Sequence, residues 1–193
     1  MYSQNNEERI ILQKFSDIND GKFLDIGAFD AFNLSNTRAL FEKGWSGVMV
    51  EPSPPRIEVI KGQIHGEDRI QLCEKAISST AGIVKFFYTS DALSTIEEKH
   101  LIKWHNHDFI ESEVETITPD MLFEQYGYDF DFISLDVESN NWDVIQHIPF
   151  EKLTNLKMIC VEHDSFYKDM TKLLEAYDFK VVLRNPENII AVR

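Results

Sequence analysis

Cysteine and positive charge are both scarce in this sequence. Its two cysteines, Cys73 and Cys160, each lie in an apolar run that reads as a buried strand, and no C-x-x-C or Cys/His spacing suits a metal. A disulfide-built scaffold is excluded, and both are read as reduced core thiols. Only 19 Lys and Arg stand against 33 Asp and Glu, for a formal charge of −14. A broad nucleic-acid footprint and docking to anionic membranes both need clustered Lys and Arg, so neither is expected. No apolar run approaches the length of a membrane span. The opening MYSQNNEERI lacks the basic region and apolar core of a secretory leader, so a cytoplasmic protein is expected. Apolar material is not lacking: 43% of 193 residues are hydrophobic, with 14 Phe and 3 Trp. That is enough for one core, and residues 1–193 read as a single domain.

Also missing are the glycines of a dinucleotide site. Residues 21–52 read as strand, tight loop, helix and strand. Residues 22–26 are an apolar run closing on Asp25, Ile26 and Gly27, where glycine lets the backbone turn close to a ligand. Leu34, Ala39, Leu40 and Phe41 fit one helical face over residues 34–43, with Asn33 or Ser35 at the cap and Gly44 at the stop. Residues 47–50 form the second strand, which ends on Glu51 and Pro52. A βαβ unit with a glycine in its first loop and an acid after its second strand is the pattern of a nucleoside site. Loop amides and the helix N-terminus face the ligand, and the carboxylate accepts from two ribose hydroxyls. Counted from Gly27, the other glycine positions of G-x-G-x-x-G hold Phe29 and Phe32. Their rings leave little room for a pyrophosphate, and Asp30 would repel one. S-adenosylmethionine carries a sulfonium and an amino group and no phosphate, so it fits Asp25 and Asp30 where NAD does not.

Elsewhere the chain alternates strands and helices. Residues 1–20 give a short amphipathic helix, expected on the sheet edge. Pro52 to Pro55 break structure before a helix at 56–61. Strands are expected at 70–77, 83–88, 114–117, 130–135 and 158–161, with helices at 118–126, 141–147 and 165–177. Thr118 caps and Pro119 opens the first of these helices. Residues 179–184 and 189–192 form a closing hairpin. Residues 89–113 are polar without a clean period and read as a flap. This order predicts an α/β fold, a single doubly wound, mostly parallel seven-stranded sheet with a C-terminal antiparallel hairpin. Ligands of such sheets sit outside the carboxyl ends of the strands, where Gly27, Glu51, Ala76, Asp136 and Glu162 all fall.

Four stretches in order, FLDIGAFDAFNLSNTRALFEKGW, GVMVEPSP, FISLDVESNNWDVI and ICVEHD, resemble successive motifs of the FkbM-type, S-adenosylmethionine-dependent methyltransferases. The likeness covers most of residues 21–164. It implies a class I methyltransferase fold and O-methylation of a hydroxyl, on a sugar or natural product. Two positions depart from the pattern. The family often has Asp-Gly where this chain has Asp30-Ala31, and Glu-Gly with a further Glu where it has Glu138-Ser139 and Asn141.

The candidate cofactor residues are therefore Asp25, Gly27, Ala28, Phe29, Asp30, Asn33 and Ser35 in and after the first loop, with Glu51 and Pro52 after the second strand. Ala76, beside Ile77, is placed along the adenine, and Asp136 is also counted with the cofactor, near its methyl group. Asp136, Glu138 and the Glu162-His163 pair converge from neighbouring strand ends as the catalytic group. A hydroxyl does not ionise at neutral pH, so it needs a base or a metal. His163 is the expected base, because its ordinary pKa lies near working pH. Asp136 and Glu162 are alternatively ligands for Mg2+. His100, His105, His107 and Trp104 in the flap read as a solvated face and Trp142 as packing helix on sheet, with contact to a small-molecule or sugar hydroxyl acceptor as the alternative; oligomeric state is left open. Two rivals remain: a nicotinamide-dependent sugar oxidoreductase or epimerase, and a non-catalytic cofactor-binding module.

Overall fold

The computed structural model describes residues 2–89, 94–96, 101 and 105–193. Its main sheet takes β1 (Lys22–Ile26), β2 (Ser46–Val50), β3 (Ile70–Cys73), β8 (Phe132–Leu135), β9 (Met158–Glu162), β10 (Lys180–Arg184) and β11 (Asn188–Val192) in the order β10-β11-β9-β8-β1-β2-β3. The strands from β3 through β9 are parallel neighbours, while β11 runs antiparallel to both β9 and β10. The expected seven-stranded sheet and C-terminal hairpin are therefore present.

Side chains alternate between the two faces of a strand, and here the alternation divides the core. Leu24, Ile26, Val48, Ile133, Leu135 and Ile159 face one way. They pack on α4 (Pro119–Tyr126), α5 (Asn141–Gln146) and α6 (Tyr167–Ala176) through Leu122, Phe123, Val144, Ile145, Met170 and Leu174. Phe23, Met49, Phe132, Met158 and Cys160 face the other way, onto α1 (Glu7–Lys14), α2 (Arg38–Glu42) and α3 (Pro54–Gln63). The N-terminal helix thus lies on the sheet face and not on its edge as expected. Ile11 and, just after α1, Phe15 are one turn apart and fully buried. Phe15 meets Trp45 edge-on at 4.8 Å and Phe132 at 6.1 Å.

Pro54 and Pro55 begin α3 rather than merely breaking the chain, because proline is tolerated in a helix's first turn. The hydroxyl of Thr118 accepts from the Met121 amide at 3.3 Å, capping α4 as expected. Both cysteines are free thiols, buried in β3 and β9.

A second sheet was not foreseen. The expected strand at 70–77 divides after Cys73, and β4 (Ala76–Ile77) leaves to pair in parallel with β7 (Ile110–Ile117). β5 (Gly82–Tyr88) runs antiparallel to β7 and to β6 (Ser94–Thr95), giving the order β4-β7-β5-β6. A Lys75–Glu115 ion pair at 2.6 Å clamps the crossing point. The expected flap is therefore strand at both described ends. No helix among the described residues is long and apolar enough to cross a membrane.

Candidate functional site

The loop after β1 is shaped by a steric constraint. Gly27 has φ +83°, and a Cβ there would lie 1.6 Å from the Asp136 carbonyl oxygen, so the exit of β8 crosses directly over it. The amides of Gly27 and Ala28 both donate to the Val50 carbonyl at 3.0 Å, tying this loop to the end of β2. Phe29 follows at φ 52° and donates its N–H to Glu51 Oε2 at 2.8 Å. Glu51 Oε1 accepts from Ser53 N–H at 2.8 Å. Burial pushes the Glu51 carboxyl up to about 7, against the pull of those two amides.

Glu51 and Pro52 line a cavity whose other walls are mostly apolar, among them Phe29, Val50, Ala76, Ile77 and Phe86. The second sheet supplies part of this wall through Phe86 and residues 94–96, with Thr95 Oγ1 donating to the Glu138 carbonyl at 3.0 Å. Gly27, Phe29, Asp136 and Glu138 are shared with a second, acid-lined cavity that also takes in Asp25, Ser35, Asn36 and Glu162. Asp25 is buried and receives a 2.6 Å hydrogen bond from Thr37 Oγ1. Burial raises its carboxyl to about 6.

Most of the expected cofactor residues meet here, and two do not. Gly27, Ala28, Phe29, Ser35, Glu51, Pro52, Ala76, Asp136 and Asp25 line one or both cavities. Asp30 and Asn33 line neither: Asp30 Oδ1 turns back to accept from the amides of Phe32 and Asn33 and from Gln63 Nε2 on α3, at 2.8–2.9 Å. Burial opposes ionisation of Asp30, but these donors outweigh it and hold the carboxyl below its ordinary range. Its geometry is that of a loop clasp. Ser35 Oγ accepts from Thr37 N–H at 3.3 Å and Arg38 N–H at 3.0 Å, so it also serves the start of α2.

Beyond Asp136 lies a cluster of acids organised by one carboxamide. Asn141 is fully buried; its Oδ1 accepts from Val137 N–H at 2.8 Å, and its Nδ2 donates to Glu162 Oε2 at 2.7 Å and Asp164 Oδ2 at 2.9 Å. Glu162 and Asp136 lie close enough to couple electrostatically, and the buried Asp136 Oδ1 has no hydrogen-bond partner among the described residues. Burial, then the Asp136 charge, raises Glu162 so far that the pair keeps a proton at neutral pH. This donor set does not fit Mg2+, which asks for oxygens free of protons and amide N–H groups. Among the described residues no group of three or more His, Cys, Asp or Glu could hold a metal. The magnesium expectation is therefore unsupported.

His163 stands differently from its expected role. Its Nδ1 accepts from Ser165 N–H at 3.2 Å and its Nε2 lies 3.3 Å from the Asn185 carbonyl, so both ring nitrogens have backbone partners. Those two contacts brace the turn after β9 against the β10–β11 turn. Trp142 packs on the core and stacks on Phe166 at 5.9 Å. His105 and His107 lie in a turn, while His100 and Trp104 fall outside the described residues.

The strand order, with cavities at the heads of β1, β2 and β8, defines a class I methyltransferase fold. The family model described as the methyltransferase FkbM domain matches residues 25–181, and the chain belongs to that family of S-adenosylmethionine-dependent methyltransferases. Among solved structures it resembles precorrin-6y C5,15-methyltransferase from Geobacter metallireducens, at a TM-score of 0.55 and 12% identity, covering 100% of this chain and 93% of that one. It also resembles a methyltransferase from Geobacter sulfurreducens, at a TM-score of 0.54 and 10% identity, over 100% and 80% of the two chains. No curated protein sequence matches the chain.

Several site residues carried no signal of their own in the sequence. Thr37, Gln63, Thr95 and Phe86 reach the site or its loop only through tertiary contacts. Asn141 was visible only as a departure from the family pattern.

Proposed function

We propose that the chain transfers the methyl group of S-adenosylmethionine to a hydroxyl of a sugar or other small-molecule acceptor. The observation that carries this reading is Glu51. Two backbone amides fix a buried acid in the wall of a mostly apolar cavity, and that cavity shares four wall residues with a second one rich in carboxylates. Such a pair of compartments suits a nucleoside whose tail is cationic. Glu51 would hold the ribose, Pro52, Ala76 and Ile77 the adenine, and Asp25 and Asp136 the methionine part. When bound, the cofactor supplies an electrophilic methyl group.

What the chain itself contributes is alignment and a proton acceptor. The Asp136–Glu162 pair keeps a proton in a buried position, and an unprotonated carboxylate oxygen of that pair would accept the proton an acceptor hydroxyl loses. His163 is assigned to bracing the mouth of the site, because its ring is already held on both sides. The pyrophosphate-binding alternative is opposed by the Phe29 ring in both cavities and by the neighbouring carboxylates. A cofactor-binding module without turnover is favoured by one observation: neutral Asn141 stands where the resembled motif carries a further acid.

Calorimetric titration with S-adenosylhomocysteine and with NAD tests the cofactor, and labelled S-adenosylmethionine incubated with extract fractions, followed by mass, tests transfer. Binding of S-adenosylhomocysteine alone together with label on a hydroxyl is the expected result. Preference for NAD overturns the reading, and label on nitrogen or carbon overturns the hydroxyl assignment. Binding with no labelled product in any fraction favours the module.

A further inference from the structure

Asn140 stands at the cap position of α5 yet does not cap it, for its side chain makes no hydrogen bond to the first amides of the helix. Asparagine is common at that position because its side-chain oxygen takes such an amide. Here the carboxamide is directed elsewhere. The residue is 7% exposed, and its Nδ2 has no hydrogen-bond partner among the described residues. A buried N–H left without an acceptor carries the full cost of its lost hydration, so native proteins rarely leave one. The next residue shows the contrast: both ends of the Asn141 carboxamide are engaged. Asn140 lines the same apolar cavity as Glu51, Pro52, Ala76 and Ile77.

We propose that Asn140 reads the purine edge of the cofactor, its Nδ2–H donating to an unprotonated ring nitrogen of adenine. This rests on the assignment of that cavity to adenosine. Apolar walls can sandwich the two faces of any purine and so tell bases apart poorly. A donor at the edge does discriminate, because ring nitrogens differ between bases in whether they carry hydrogen. Adenine presents a ring-nitrogen acceptor beside its amino group, and a carboxamide offers the complementary donor and acceptor.

The test is a set of calorimetric titrations of wild type, Asn140→Ala and Asn140→Asp with four ligands. These are S-adenosylhomocysteine and its 1-deaza, 3-deaza and 7-deaza analogues, each of which replaces one ring nitrogen by C–H. Wild type is expected to lose about fivefold to tenfold in affinity for one analogue, the size of one hydrogen bond. Asn140→Ala should bind S-adenosylhomocysteine about as weakly as wild type binds that analogue, with no further loss for the analogue itself. Asn140→Asp, which turns the donor into an acceptor, should bind more weakly still. Melting of ligand-free Asn140→Ala should be unchanged or raised, whereas loss of a cap would lower it. The inference is overturned if all three proteins bind S-adenosylhomocysteine and rank the analogues alike. If wild type binds none of the four ligands, the adenosine assignment itself falls, which is a different outcome from this one.

Discussion

Glu51 carries a pH signature that joins folding to ligand binding. Its carboxyl titrates at about 7 in the folded chain, against an ordinary value near 4.5. Between those two pH values the folded state holds a proton that the unfolded state has released, so stability of the ligand-free protein falls as pH rises through this window. Binding should run the other way, because a ribose hydroxyl needs an ionised acceptor. Affinity for S-adenosylhomocysteine is expected to rise on the order of tenfold from pH 6 to pH 8, with proton release seen by calorimetry in buffers of different ionisation enthalpy. Glu51→Gln should bind weakly with a flat profile, and a sloping profile in that variant would assign the titration to another group. Asn141 makes a second test at this scale. Asn141→Asp keeps the shape, removes the donors facing Glu162 and Asp164, and adds a charge among acids. A loss of about 2–4 kcal/mol in urea unfolding is expected at neutral pH, shrinking as pH falls and the acids take up protons.

α1 is an element whose place the tertiary structure explains better than its own sequence does. It carries two buried acids, of which Glu7 accepts from Asn185 Nδ2 in the β10–β11 turn at 2.7 Å and from Asn188 Nδ2 at the start of β11 at 2.9 Å. Just ahead of it, Gln4 Nε2 reaches Glu187 at 3.1 Å, and both residues line the acid-rich cavity. The N-terminal segment is thus pinned at one end by polar contacts beside the site and at the other by the Phe15 ring under Trp45. Phe15→Ala should lower stability by about 3–5 kcal/mol, read as a lower urea midpoint with an unchanged slope. An unchanged midpoint would mean that α1 adds no stability to the sheet. The second sheet works similarly: β4 abandons the main sheet after Cys73, and the small cluster of Ala76, Phe86 and Val114 then closes the apolar cavity from the side.

At the scale of the whole molecule the dominant fact is charge. A formal −14 on 193 residues works against the compact state through self-repulsion, and the site concentrates further acids at the heads of the central strands. Raising ionic strength from about 0.01 M to about 0.5 M cuts the reach of those charges from about 30 Å to a few ångströms. The melting temperature should therefore rise with sodium chloride, and rise to a similar extent with potassium chloride. A flat or falling curve would show that the surface ion pairs, such as Lys61–Glu74 and Lys85–Glu111, outweigh the net repulsion. The same field should discourage anionic acceptors from entering the site.

Local pattern was enough to determine the strand order along the chain for the main sheet, the glycine-turn-acid signature from Gly27 to Glu51, and the preference for a cofactor without phosphates. Each of these rests on residues near one another in the chain, through backbone turns, helical spacing and the ends of apolar runs. Which polar side chains face the ligand was decided only in three dimensions. Asp30 looked like Asp25 in the sequence, but Gln63 on a later helix turned it away. His163 looked like a free base until the Asn185 carbonyl and the Ser165 amide occupied its ring. The two adjacent asparagines, 140 and 141, are indistinguishable by type. One is engaged by acids from β9 and the turn after it, and the other belongs to the cavity wall with its Nδ2 unpartnered. A side chain's partners are set by packing between distant segments, which local periodicity does not encode.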